Sequence, residues 1–288
     1  MSPTREARGA ALLLVLWVIA LLAALVGGFA LTARLEQLQG GVLARGAVGA
    51  ELARAGLEVA VARVQDPFPE RRWSPDGRDY AWRFAGSELT LRIVDESGKV
   101  DLNAAQPPLL AALFRTAGAA PADAERLAGA VLDWRDADDL VQPAGGAEDP
   151  QYAAAGLPYG AKDAPFETIG ELQQILGMTP ALYAAVAPYV TVYTGQPSPD
   201  PRFAAAPVLE AMGIDPAPVL EQRQPLPGMP DPAAALGSGT GTYSIESRAR
   251  MSDGREAVLQ AVVRVGGGAP GTAYTPLSWR EGVSASEP

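Results

Sequence analysis

"ARGAALLLVLWVIALLAALVGGFALTAR" (residues 7–34) decides the reading of this chain, because everything after it depends on whether it is removed, retained as an anchor or used for assembly. No charged residue falls between Gly9 and Ala33. Residues 10–31 supply about 22 apolar or small positions, about 33 Å of helix, enough to cross a hydrocarbon core of about 30 Å. Arg5 and Arg8 precede the run, which predicts a cytoplasmic start and a chain that lies mostly on the other side. A cleaved secretory signal has a shorter apolar core followed by a small-residue site. This run is too long for one. The helical pattern also continues beyond it: Leu35, Leu38, Val42, Leu52, Ala55, Val59 and Ala62 recur at spacings of three and four. One helix from about residue 10 to 65 is expected, weakened where its glycines fall.

The rest of the composition narrows the chemistry. The chain has 288 residues, a net charge of −10 and neither histidine nor cysteine. Zinc centres, disulfides, cysteine nucleophiles and histidine-dependent acid–base schemes are therefore excluded. An acidic surface repels phosphate backbones. No G-x-S-x-G or P-loop motif occurs, and nothing places two carboxylates across a cleft as a glycosidase needs. The sequence predicts a protein without catalytic activity.

After the helix, "YAWRFAGSELTLRIVDESGKVDLN" (80–103) reads as strand, turn, strand, with Leu89, Leu91 and Ile93 alternating against Thr90, Arg92 and Val94. Near the end, strands are expected over about 242–250 and 256–265 with an "SDG" turn between them. Residues 104–236 are alanine- and leucine-rich and read as helices over 107–118, 121–139, 168–193 (helix, "GMT" turn, helix) and 206–224. "NAAQPPLLAAL" (103–113) is echoed weakly by "FAAAPVLEAM" (203–212). The expected fold is α+β: a long N-terminal helix on a small antiparallel sheet, with a large all-α domain inserted between the strands. Residues 224–241 form a proline- and glycine-rich return, and the tail after 265 is loose, with an edge strand open over 273–280.

Two stretches carry possible chemistry. "DWRDADDLVQPAGGAED" (133–149) holds Asp133, Asp136, Asp138, Asp139, Glu148 and Asp149 against one arginine, Arg135. Such carboxylates repel one another unless spread in water or neutralised. Ca²⁺ suits a flexible oxygen-rich loop, although the spacing is not that of an EF-hand, and a solvated acidic loop is the alternative. "FETIGELQQILGMTPAL" (166–182) resembles a helix-hairpin-helix unit with Thr168 and Glu171 as a capping box. No Lys or Arg lies between Lys162 and Arg202, which favours a packing unit over a backbone-binding one.

"ARG" before the apolar run resembles a type IV prepilin-like leader. That resemblance implies cleavage by a dedicated prepilin peptidase between Gly9 and Ala10, followed by methylation of Ala10. Most pilin-like proteins carry glutamate at the fifth mature position, where this chain has Leu14. "DESGKVDLNAA", "LDWRDADD", "GAED" and "PFETIGELQQILGMT", in that order, then resemble the K-type minor pseudopilin family of the type II (general) secretion system. The resemblance runs over most of residues 8–265.

It implies a leader (1–9), a transmembrane and assembly helix (10–33), a pseudopilin helix with first strands (34–103), an inserted α-domain (104–236) and C-terminal strands with tail (237–288). It further implies a single-pass protein of the inner membrane with its bulk in the periplasm. There it would sit at the pseudopilus tip with I- and J-type minor pseudopilins and other pseudopilus subunits, starting assembly for protein export. Calcium is implied at the acidic residues of the α-domain, and no nucleic acid is expected. The competing reading is a membrane-anchored DNA-uptake receptor, which predicts a basic surface where this chain is acidic.

Overall fold

The computed structural model describes residues 7–224, 239–266 and 272–282, without the side chains of 7–11 and 31–45. Residues 1–6 of the expected leader (1–9), most of the proline-rich return and the last six residues lie outside the described residues. Helix α1 runs Ala7–Val64. The chain divides into two compact units at Glu51/Leu52. In the first, Leu12–Ala30 is long and apolar enough to cross a membrane, with a mean hydropathy of 2.8 and every residue exposed.

The second unit is built on a five-stranded antiparallel sheet. Its strands are β1 (Asp76–Phe84), β2 (Ser87–Asp95), β5 (Thr242–Arg250), β6 (Glu256–Val265) and β7 (Tyr274–Gly282), adjacent in that order. The β1–β2 hairpin closes on Ala85 and Gly86, both at positive φ (48° and 77°), the backbone that matches strand twist in a two-residue turn. Alternation decides which face is buried. Leu89, Leu91 and Ile93 of β2, Tyr243 and Ile245 of β5, and Leu259 and Val263 of β6 pack against Leu52, Leu57, Ala60, Val61 and Val64 of α1. Gly56 lets the helix sit close on the sheet: a Cβ there would lie 2.2 Å from Ser247 Oγ and 2.7 Å from Leu91. Residues 274–282 are a full edge strand rather than a loose tail, because β7 pairs with β6 across a bulge at Val262/Val263.

The two hairpins are one sheet, since β2 pairs directly with β5 in the register Ile93↔Ile245. Everything between Asp95 and Thr242 is an insertion between adjacent strands. It has its own core and contains α2 (Pro107–Thr116), α3 (Pro121–Arg135), α4 (Asp149–Ala154), α5 (Pro180–Val186), α6 (Ala206–Ala211) and α7 (Pro216–Gln222). It is not purely helical: β3 (Val100–Asp101) and β4 (Val190–Thr191) form a short parallel ladder.

Three helical expectations are corrected. The 121–139 helix stops at Arg135, where Asp136 turns extended. The first half of the 166–182 hairpin is a 3-10 turn, Ile169–Gln174. The 206–224 stretch breaks into α6 and α7, because Ile214 N–H folds back to Leu209 O and Asp215 caps the second helix through Ala217 N–H (3.0 Å) ahead of Pro216. The echoing segments 103–113 and 203–212 carry α2 and α6, which pack together.

The insertion's root is held by buried acids. Asp95 accepts from Ser97 N–H (2.8 Å) and from Thr240 N–H and Oγ1–H (2.7 and 2.8 Å), joining the exit strand to the return. Glu96 accepts from Lys99, Thr191 and Ser244. Asp101 accepts from Asn103 N–H, Thr194 N–H and Oγ1–H, and Gly195 N–H, all at 2.8–2.9 Å. Asn103 closes a two-way bond with the Phe166 backbone (2.9 and 2.7 Å). Removing a buried acceptor strands its donors, at about 1–3 kcal/mol. Asp101→Ala should lower unfolding free energy by that order in denaturant titration. Asp123→Ala, at an exposed ion pair with Arg126, should change it by less than about 0.5 kcal/mol.

Candidate metal centre

The six carboxylates of 133–149 do not act as one group. Asp133 lies in the last turn of α3 and is fully buried, Asp136 is its C-cap, and Glu148 is the N-cap of α4 and 3% exposed. One carboxylate oxygen from each lies within 4.8 Å of the others. Asp138 is exposed and caps its own loop by accepting from Leu140 N–H (2.9 Å), and Asp139 is exposed. Asp149 accepts from Ala161 N–H (3.1 Å) and backs onto Gly160, away from the triad.

The loop between α3 and α4 is drawn onto the triad. Gln142 N–H donates to Asp133 Oδ1 (3.2 Å), and its side-chain amide donates to Asp136 Oδ2 (3.4 Å). Gly146 lies against the Asp133 carboxylate: a Cβ there would lie 1.8 Å from Asp133 Oδ2, so a larger residue would displace the Asp133 side chain. Gln142 and Gly146 were not singled out in the sequence, although "QPAGG" before "AED" was a usable signal. Asp163 was also missed. Its charge acts on both Asp136 and Glu148, and it sits at positive φ (53°), with no spacing that would tie it to 133–149.

The electrostatics of the triad are unfavourable as they stand. Asp133 and Asp136 lie at a helix C-terminus, where the dipole already disfavours negative charge. Burial, reinforced by Asp136, pushes Asp133 up to about 6. Burial, then the charges of Asp133, Asp136, Asp163 and Asp139, push Glu148 up to about 7. Asp136 is also raised, by burial first and by Asp138 next. Arg135 offsets this only in part: its charge acts on Asp136, but its guanidinium donates to Leu102 O and to Ala105 O (2.9 Å) rather than to the triad. Lys162 is held by Glu171 (2.9 Å). Asp136 Oδ1 and Glu148 Oε1 are buried without a hydrogen-bond partner. Three hard oxygen donors, two with orphaned atoms and, among the described residues, no ion pair to a protein cation, fit a divalent cation of the calcium type.

The cation that reaches the helical hairpin, Lys162, is spent on it. Thr168 N–H donates to Glu171 (2.9 Å), and Glu171 in turn receives Lys162 and Trp134 Nε1 (3.4 Å). Its polar groups are directed inward to packing.

Residues 89–195, from β2 through the acidic loop to the end of the β3–β4 ladder, match the family model for type II secretion system protein K. Type II secretion system protein K of Pectobacterium carotovorum subsp. carotovorum is 31% identical over 206 residues, covering 64% of this chain and 62% of the relative. The Klebsiella pneumoniae protein of that name is 30% identical over 204 residues, with the same coverage. The aligned part thus spans less than two thirds of these relatives. In the crystal structure of the GspK-GspI-GspJ complex from the enterotoxigenic Escherichia coli type 2 secretion system, a chain 20% identical shares the fold. Its TM-score is 0.58, over 88% of this chain and 99% of that one. Over residues 89–195 the chain is similar to the type II secretion system protein K family.

Proposed function

We propose that this protein is a minor pseudopilin at the tip of a type II secretion pseudopilus, where it starts assembly together with I- and J-type minor pseudopilins. The reading rests on one observation: the stretch matched by the family model contains both the sheet strand that launches the insertion and most of the insertion itself. A large body inserted between adjacent strands obstructs a subunit stacked above it and is tolerated where none follows. The role is structural rather than catalytic. Leu12–Ala30 serves first as an inner-membrane anchor, with the second unit in the periplasm, and then as a packing surface for other such helices. Prepilin peptidase cuts between Gly9 and Ala10.

In this role Asp133, Asp136 and Glu148 hold Ca²⁺, with Asp138, Asp139 and Asp149 outside the triad. The ion would offset the repulsion among the three carboxylates and tie the end of α3 to the start of α4. It would thereby brace an insertion that has no disulfide.

Co-expression with I- and J-type partners should yield a complex that survives size exclusion. Recovery of this chain alone would overturn the assembly role. Mass spectrometry of protein from peptidase-positive cells should find a methylated Ala10 terminus, and an intact Met1 or Ser2 terminus would contradict processing.

The carboxyl pKa values are raised in the folded state, so the native triad holds protons that the unfolded chain, at about 3.8–4.5, releases. The metal-free protein therefore loses this contribution as pH rises through about 6–7. Calcium needs the ionised triad, so the gain in melting temperature on adding calcium should be larger at pH 7.5 than at pH 5.5. At 100 times Kd the gain corresponds to about 2.7 kcal/mol. Glu148→Gln should remove it, and an equal gain in that variant would rule the triad out as the site.

A further inference from the structure

The sheet face turned away from α1 differs in charge from the rest of the chain. Alternation places Arg83, Arg92, Arg248, Arg250, Arg264 and Arg280 on it, against four carboxylates, Asp79, Glu88, Glu246 and Glu256. This face is net positive on a chain of net charge −10. Over it, the insertion closes a cleft of about 550 Å³. Gln260, Val262 and Arg280 line the sheet side, and Ile169, Tyr183 and Pro188 line the insertion side.

The charges inside the cleft are not equivalent. Its floor is satisfied, because Glu96 receives Lys99, Thr191 and Ser244. Arg92 is held in two bonds by Asp79 (2.8 and 3.1 Å). Arg280 is exposed and forms no ion pair among the described residues. A guanidinium without an ion pair, in a cleft that also has apolar lining, calls for a ligand with a carboxylate on one side and an apolar group on the other. An extended chain supplies both at alternate positions. We propose that this cleft binds an extended acidic segment of a partner protein, its apolar side chains on Ile169, Tyr183 and Pro188 and its carboxylates on Arg280. This site is separate from the acidic triad and does not depend on the filament role.

The test uses the full chain in detergent micelles and fluorescence anisotropy. The probes are a labelled decapeptide of alternating glutamate and leucine and its lysine–leucine counterpart. The glutamate peptide should bind despite the acidic net charge. Arg280→Glu should weaken it about tenfold, about 1.4 kcal/mol, with unchanged melting temperature. Arg250→Glu, on the same face outside the cleft, should leave it within about twofold, and Tyr183→Ser should weaken it without reversing the charge preference. The proposal is overturned if the glutamate peptide does not bind, if it binds Arg280→Glu as well as the parent, or if Arg280→Glu and Arg250→Glu weaken it equally.

Discussion

Asp95, Glu96 and Asp101 lie together where the chain leaves the sheet, each buried and each answered by hydrogen bonds rather than water. A buried carboxylate is tolerable only when its lone pairs are used. Here the donors come from both ends of the insertion: Thr240 from the return, Ser244 from β5, and Thr191, Thr194 and Gly195 from the far side of the helical core. The pairing of β2 with β5 holds the two ends of the long insertion together, and the acids fix how it departs. Asn103 carries the same logic outward by clamping the backbone of Phe166 under the capped turn that follows.

The acidic triad shows the opposite arrangement. Asp133, Asp136 and Glu148 are drawn together with no ion pair to a protein cation among the described residues, at a helix end whose dipole disfavours them, and two of their oxygens are left without partners. At the root every oxygen of Asp101 and Asp95 has a donor, which makes the deficit at the triad informative. Where the carboxylates of the root are fully answered and those of a compact triad are not, a ligand is the economical explanation. Glu96 and Arg280 repeat the contrast on a smaller scale: one charge is spent on architecture, and the other is exposed in the cleft without an ion pair among the described residues.

Much of the fold was legible from residue pattern. Leu89, Leu91 and Ile93 announce a strand with one buried face, "AGS" announces its turn, and "SDG" marks the second hairpin. These signals are local, set by the two-residue strand period and by backbone sterics. The helix ends were less legible. "DWRDADD" reads as continuing helix until Asp136 turns out of it, and "GIDP" in 206–224 is a stop and a cap that helical periodicity passes over. The triad was half legible. Density of acids pointed to the stretch, yet Asp138, Asp139 and Asp149 looked no different in sequence from Asp133, Asp136 and Glu148.

By itself the sequence determined the anchor-length apolar run, the two hairpins, the helical character of the insertion and a chemistry without histidine or cysteine. All of these follow from composition and from periods of two to four residues, which act over a single element. The tertiary structure alone decided that the expected sheet is joined at β2–β5, that "DESGKVDLN" is a root of buried acids, and which three of six carboxylates meet. Each of these depends on contacts between residues about ten to 150 positions apart, and such contacts are set by which buried faces and which buried polar groups find partners once the elements pack.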